Sequence, residues 1–425
     1  MRAGILLFSI LLIYAGCKNS KRSDIIKSSF DSIMIQRNND IKKLWEEKKY
    51  KEFILLIGES LQYAQKNTDK KKVKEITNNP YLYYVIANSY SMLNQKDSAI
   101  GNLQKAIDLG YTDYYGVSND TSFNNIRNDK RYEAIIVQLK KNGSYEEILM
   151  QFPTYKNERQ ILPIYTYQSS NDDELQKLRV KYKLDSIAGE GDEISRIIRL
   201  MGWAHRIVRH GNDLPNPSDR HADAIIELCK KEKRNVNCRM LATILNETYL
   251  AMGFQSHFVT CLPKNKTDTE CHVINCVFSI TLDKWIWMDP TFDTWVKDEV
   301  GNFLSIEEVR ERLVKGLPVK TSPGINYNGK AHDGNEYLHH YMAKNLFQLQ
   351  IPIDSYAAFE SANSVQKIIP VMLPKLNQKI PRSYHSERLY IQLIPVEFKP
   401  ENIEVGKRKN NVYYTNDAKQ FWLKP

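Results

Sequence analysis

Three residues in the middle of this chain, Cys238, His272 and Asp289, have the types and settings that nucleophilic thiol chemistry needs. Cys238 heads "VNCRMLATILNETYLAMGFQSHFV" (236–259), which reads as an N-cap at Asn237, an apolar helix, a stop at Gly253 and a β-strand. His272 opens the strand-like run "HVINCVFSI", and Asp289 ends "KWIWMD" just before Pro290. A free thiol titrates near ~8.5, and a helix N-terminus together with an imidazole partner lowers that by several units. The imidazole then stores the proton and returns it to the leaving group. A carboxylate behind the ring fixes its tautomer and orientation. The backbone N–H of Cys238, at the open end of the helix, is a candidate oxyanion donor.

Three elements must bring these groups together: the helix and two neighbouring strands. On the first strand His272, Ile274, Cys276 and Phe278 share a face, and on the second Trp285, Trp287 and Asp289 do. A hairpin centred between Ile280 and Thr281 sets His272 opposite Asp289. The favoured turn residues, Leu282 to Lys284, lie just past that centre, so the spacing requires a bulge or a diagonal contact. Asp293 is a rival for Asp289. The tryptophans are expected to pack the hairpin. Trp203 or His205, on a preceding helix spanning 192–210, is a candidate second oxyanion donor. Cys271, His272 and Cys276 are a zinc alternative, but strand alternation sends 271 and 276 to opposite faces. No metal or organic cofactor is required by this chemistry.

The chain carries six cysteines, namely Cys17, Cys229, Cys238, Cys261, Cys271 and Cys276. The first sixteen residues, "MRAGILLFSILLIYAG", have a basic start, an apolar run and small residues before Cys17. This resembles the lipobox of bacterial lipoproteins, which implies lipid on Cys17 and a place in the cell envelope, on the periplasmic or outer-membrane side. Residues 17–30 read as a flexible tether. Five cysteines then remain in the mature chain, an odd number, so at least one thiol is expected free. The net charge of +10 is spread over runs that neighbour acids. That is a solvated surface, and no nucleic-acid partner is expected.

Residues 31–145 read as helices. In "PYLYYVIANSYSMLNQKDSAIGNLQKAIDLGY" (80–111), Tyr83, Ile86, Ala87, Tyr90, Ala99, Leu103 and Ala106 occupy the packing positions of a tetratricopeptide repeat. Residues 48–65 resemble the second helix of an earlier unit, and 122–139 close the stack. Such a region implies a protein partner, although Tyr81, Tyr83 and Tyr84 read as packing residues. A second domain is expected over 155–325. Residues 334–425, rich in proline, tyrosine and alternation ("YIQLIPVEF"), read as a small β-rich appendage.

The residues quoted around Cys238, His272 and Asp289 resemble the transglutaminase-like superfamily, whose core is papain-like. Val236 stands where that family often has glycine, and Ile274 where an aromatic usually follows the histidine. The resemblance, over about 175–300, implies an α+β fold with a helix packed on an antiparallel sheet. It also implies Cys238 as nucleophile, His272 as base and acid, and Asp289 as the orienting residue. The implied activity is acyl transfer from protein or peptide amides through a Cys238 thioester, to water or to an amine. The competing expectation is a non-catalytic, lipid-anchored interaction protein that keeps the core as a scaffold.

Overall fold

Small residues set the spacing of the N-terminal helices. α1 (Ser29–Glu46) and α2 (Tyr50–Asn67) form one pair, followed by the short α3 (Lys70–Thr77). α4 (Pro80–Met92) opens with proline at its first position and with the Asn79 side chain accepting the Tyr81 N–H. α5 (Lys96–Asp108) packs against α4 with Ala87, Ala99, Leu103 and Ala106 fully buried. α6 (Tyr114–Asn119) and α7 (Lys130–Gly143) complete the group. Asp120, after α6, accepts from Tyr84 Oη and Asn88 Nδ2, both at 2.7 Å, and so ties α4 to the next unit. The tyrosines pack as expected: Tyr84 stacks on Tyr111 at 4.8 Å, and the Lys105 ammonium covers the Tyr83 ring.

This computed structural model describes residues 29–156, 160, 162–265, 268, 270–361, 368–372, 379–383 and 388–425. The expected signal peptide, the expected lipidation site Cys17 and nearly all of the expected tether lie outside the described residues. Among those described, no helix is long and apolar enough to cross a membrane. The chain divides into two units, Met1–Glu147 and Ile148–Pro425, and α8 (Tyr145–Gln151) runs across the division.

The second unit is α+β. After β1 (Thr166–Gln168) come α9 (Asp173–Lys181), α10 (Leu184–Ala188), α11 (Glu193–Ile207), α12 (Ala222–Glu232) and α13 (Cys238–Ala251). α13 is buried from Met240 through Ala251, its polar residues Thr243, Asn246, Glu247 and Thr248 included. It lies on β2 (Ser256–Leu262) and β3 (His272–Ser279), with α9, α11 and α12 around it. Two polar contacts fix its seat. Asn275 Nδ2 donates to the Ala242 carbonyl at 2.9 Å, and the buried Glu247 carboxylate accepts the N–H groups of Ala222 and Ala358. Ala222 is the first residue of α12, whose own cap residue His221 supplies no side-chain cap, so Glu247 does that work from a neighbouring helix.

β4 (Lys284–Met288) follows β3, then two short ribbons, β5 (Val296–Lys297) with β6 (Lys320–Thr321) and β7 (Asn326–Tyr327) with β8 (Lys330–Ala331). α14 (Ile306–Lys315) carries a Ser305–Glu308 capping box. A π-helical segment, Glu336–Met342, precedes β9 (Gln348–Pro352) and β10 (Asp354–Ser355). β11 (Ile368–Met372), β12 (Lys379–Ser383), β13 (Tyr390–Leu393), β14 (Arg408–Lys409) and β15 (Val412–Thr415) end the series.

The main sheet runs β14-β15-β13-β9-β2-β3-β4, antiparallel except for β13 with β15. A second sheet runs β10-β1-β11-β12. This corrects one expectation. The C-terminal residues are not an appendage, because β9 pairs with β2 and brings β13 to β15 into the sheet that holds His272. The alternation in "YIQLIPVEF" identifies a strand, Tyr390–Leu393, which the sheet buries on both faces. It does not identify the neighbours, which are β9, earlier in the chain, and β15, later in it.

Candidate active site

Cys238 is the first residue of α13, half-buried, with Asn237 in extended conformation (φ −77°, ψ 174°) and its side chain accepting the Met240 N–H at 3.3 Å. A helix start leaves backbone N–H groups without intrahelical partners and favours negative charge there. His272 is the first residue of β3, and its Nε2 lies 2.7 Å from Asp289 Oδ2. Both side chains are buried.

The β3–β4 register explains that contact. Ser279 pairs with Lys284 and Asn275 with Met288, which carries Asp289 to the level of Ile274. His272 is two residues further along the same face, so the pair meets on the diagonal, as the turn residues require. The turn itself is held from α11. The Glu193 carboxylate accepts from Ser279 Oγ at 2.6 Å and from the Ile280 and Thr281 N–H groups at 2.9 Å. Asp289 is fixed in turn by Thr291 and Phe292 N–H groups on Oδ1, and by the Tyr337 hydroxyl, which donates to Oδ2 at 2.6 Å. Tyr337 is fully buried and comes from the π-helical segment, a form of helix that recurs at functional sites.

These contacts set the charges. Burial opposes a charge on His272, but the Asp289 carboxylate beside it, helped by the Cys238 sulfur, holds the imidazole up to about 10. Burial would raise Asp289 as well, and the His272 charge and hydrogen bond instead hold it below its usual value. Burial also pushes the Cys238 thiol up, yet the two neighbouring imidazoles, His210 and then His272, bring it down to about 6. Between about 6 and about 10 the thiol and the imidazole therefore form a thiolate–imidazolium pair. Phe292 and Tyr341 pack on the His272 ring, at 5.8 and 5.1 Å, and limit its movement.

His210 is the residue that sequence reasoning missed. It follows α11 by three residues and pairs with Val236 in an isolated parallel bridge, with Val236 N–H donating to the Arg209 carbonyl and Gly211 N–H to that of Val236. That bridge delivers the His210 ring to a thiol two residues beyond Val236. No local pattern marks it, because a lone histidine near a helix end is ordinary. Tyr337 was missed for the same reason.

Trp203 packs its indole on Tyr182, with ring centroids 5.5 Å apart, and the imidazoles on the thiol are His210 and His272. His205 is occupied structurally, with Nδ1 2.9 Å from the Pro290 carbonyl and Nε2 2.8 Å from Asn326 Oδ1. Asp293 sits in a left-handed turn (φ 49°), while Asp289 is the carboxylate on His272. The five described cysteines are all free thiols. Among the described residues, no group of three or more histidine, cysteine, aspartate or glutamate side chains is arranged to hold a metal ion.

Helix-on-sheet core and aligned side chains together make a thiol–imidazole–carboxylate site at the start of a buried helix. No protein-family model and no curated protein matches the chain. Among solved structures it is similar to one titled "a Putative Cysteine Protease" from Cytophaga hutchinsonii, at 13% identity and a TM-score of 0.22. That match covers 44% of this chain and 60% of the other, so the chain spans less than two thirds of that structure's length.

Proposed function

We propose that this chain is a transglutaminase-like thiol enzyme that transfers acyl groups from amides of proteins or peptides. The observation that carries the reading is a thiol at a helix start with an imidazole whose Nε2 lies 2.7 Å from a buried carboxylate, and that setting pulls the thiol down and holds the imidazole up. Cys238 attacks the amide carbonyl, forming an S–C bond. His272 gives its proton to the departing amine as the C–N bond breaks. Water or a second amine then releases the acyl group from the thioester, with His272 taking the proton back. Asp289 keeps the ring oriented throughout. An inactive scaffold has no need of an ionised thiol, and a buried one held near neutrality costs stability. We also propose that lipid on Cys17 anchors the chain in the cell envelope and that the helical region docks a protein partner.

The test is alkylation by iodoacetamide on the full chain at pH 6.5, followed by peptide mapping. Cys238 should react about a hundredfold faster than a thiol that titrates near ~8.5, and His272→Ala should reduce that excess. Labelling of Cys238 at the rate of an ordinary thiol would overturn the proposal. Profiling of wild type against Cys238→Ala on envelope proteins and peptidoglycan peptides would then find the acyl donor.

A further inference from the structure

Two imidazoles act on the thiol at the head of α13, and the reaction above uses one. His210 is held more firmly than a bystander requires. Its backbone is bridged to Val236, its N–H donates to Asn328 Oδ1 at 2.9 Å, and its carbonyl accepts from Asn328 Nδ2 at 3.0 Å. Its Nδ1 lies 2.6 Å from Tyr327 Oη, which leaves Nε2 for the sulfur. Asn328 and Tyr327 both come from the β7–β8 ribbon, so one element sets both backbone and ring.

The two rings have different partners. His272 has a carboxylate behind it, which holds the ring charged. His210 has a phenol, and burial followed by the charges of Asp213 and Cys238 push that phenol up, so it stays neutral. When that phenol donates to Nδ1, the ring carries its proton on Nε2, the nitrogen left for the sulfur. That tautomer offers an N–H and cannot accept a proton at the reacting centre. Phe292 stands between the two systems, 5.8 Å from the His272 ring and 5.6 Å from that of Tyr327.

We propose that His210 is a catalytic residue whose Nε2–H, oriented by Tyr327, hydrogen-bonds the oxyanion formed when Cys238 attacks a carbonyl. This rests on Cys238 being the nucleophile. As the S–C bond forms, the carbonyl π pair moves onto oxygen. The N–H of His210 stabilises that charge and keeps its proton. When the pair returns, the leaving group departs and His210 is unchanged.

Two reactions of Cys238 separate this role from any other, measured on the full chain at pH 8.5. Alkylation by iodoacetamide builds no oxyanion, whereas acylation by p-nitrophenyl acetate does. His210→Ala should leave alkylation within about threefold and slow acylation about a hundredfold. His210→Gln, which restores an N–H, should recover about tenfold of that loss, and Tyr327→Phe should slow acylation alone by about tenfold. Equal slowing of both reactions, or acylation unchanged relative to alkylation in either His210→Ala or Tyr327→Phe, would overturn the assignment. Those two variants are independent, so a fold defect in one leaves the other decisive. Failure of the underlying nucleophile reading is seen separately, in the wild type, as ordinary alkylation at pH 6.5.

Discussion

The second unit holds two cysteine–histidine pairs, and their environments drive them in opposite directions. Cys276 on β3 lies directly across from His257 on β2, in the middle of the sheet. His257 meets the Tyr167 hydroxyl at 2.7 Å and, among the described residues, has no carboxylate bonded to its ring; burial pushes its imidazole down to about 3. The same burial pushes the Cys276 thiol up to about 12. Cys238 and His272 are also poorly exposed, yet both are charged near neutrality. Proximity of thiol and imidazole is therefore not enough. The carboxylate of Asp289 turns one pair ionic, and the helix start and a second imidazole favour the thiolate. Without them burial keeps the other pair neutral.

Removing that carboxylate's charge should make the active pair resemble the silent one. In Asp289→Asn the imidazolium loses its support, and acyl transfer should fall on the order of a thousandfold or more. The alkylation midpoint of Cys238 should rise from about 6 toward an ordinary thiol's. A midpoint that stays near 6 in this variant would break the comparison. Next in size is the pH dependence. A lowered thiol is ionised above about 6, and a raised imidazole keeps its proton up to about 10, so turnover should be bell-shaped between those limits. At pH 4 the rate should be about a hundredfold below that at pH 7, read from a full pH–rate profile.

Tyr337→Phe removes one charge-assisted hydrogen bond from Asp289 and leaves the His272 contact in place. Turnover should drop about tenfold, a value in keeping with the strength of such bonds. An unchanged rate would show that Thr291 and Phe292 suffice to hold the carboxylate. The smallest effect belongs to Glu193→Gln, which weakens the three hydrogen bonds that hold the β3–β4 turn. Urea unfolding should register a loss of about 1 kcal/mol, with the alkylation midpoint unmoved. A shifted midpoint would mean that the turn controls the diagonal register directly.

Much of the site was legible because its signals are local. Asn237 before an apolar run and Gly253 after it bound a helix, which places Cys238 at the N-terminal end. Turn residues beyond the midpoint between His272 and Asp289 require the diagonal contact that the β3–β4 register provides. The alanines at 87, 99 and 106 announce a close helix pair, and the structure buries all three. His210, Tyr327 and Tyr337 carried no such mark. Each reaches the site through contacts with residues tens of positions away, and a single side chain on a loop or short ribbon has no periodicity to read.

The sequence by itself determined which segments are helix and strand, which faces are apolar, and which thiol begins a helix, since these depend on neighbours a few residues apart. Tertiary structure alone decided that Cys238 is ionised while Cys276 is not. It also decided that the C-terminal strands complete the main sheet and that a second imidazole meets the thiol. Charge states follow the local dielectric and the nearest partners in space, and strand pairing follows whichever edge is open. Neither is written in the order of residues until the chain has closed on itself.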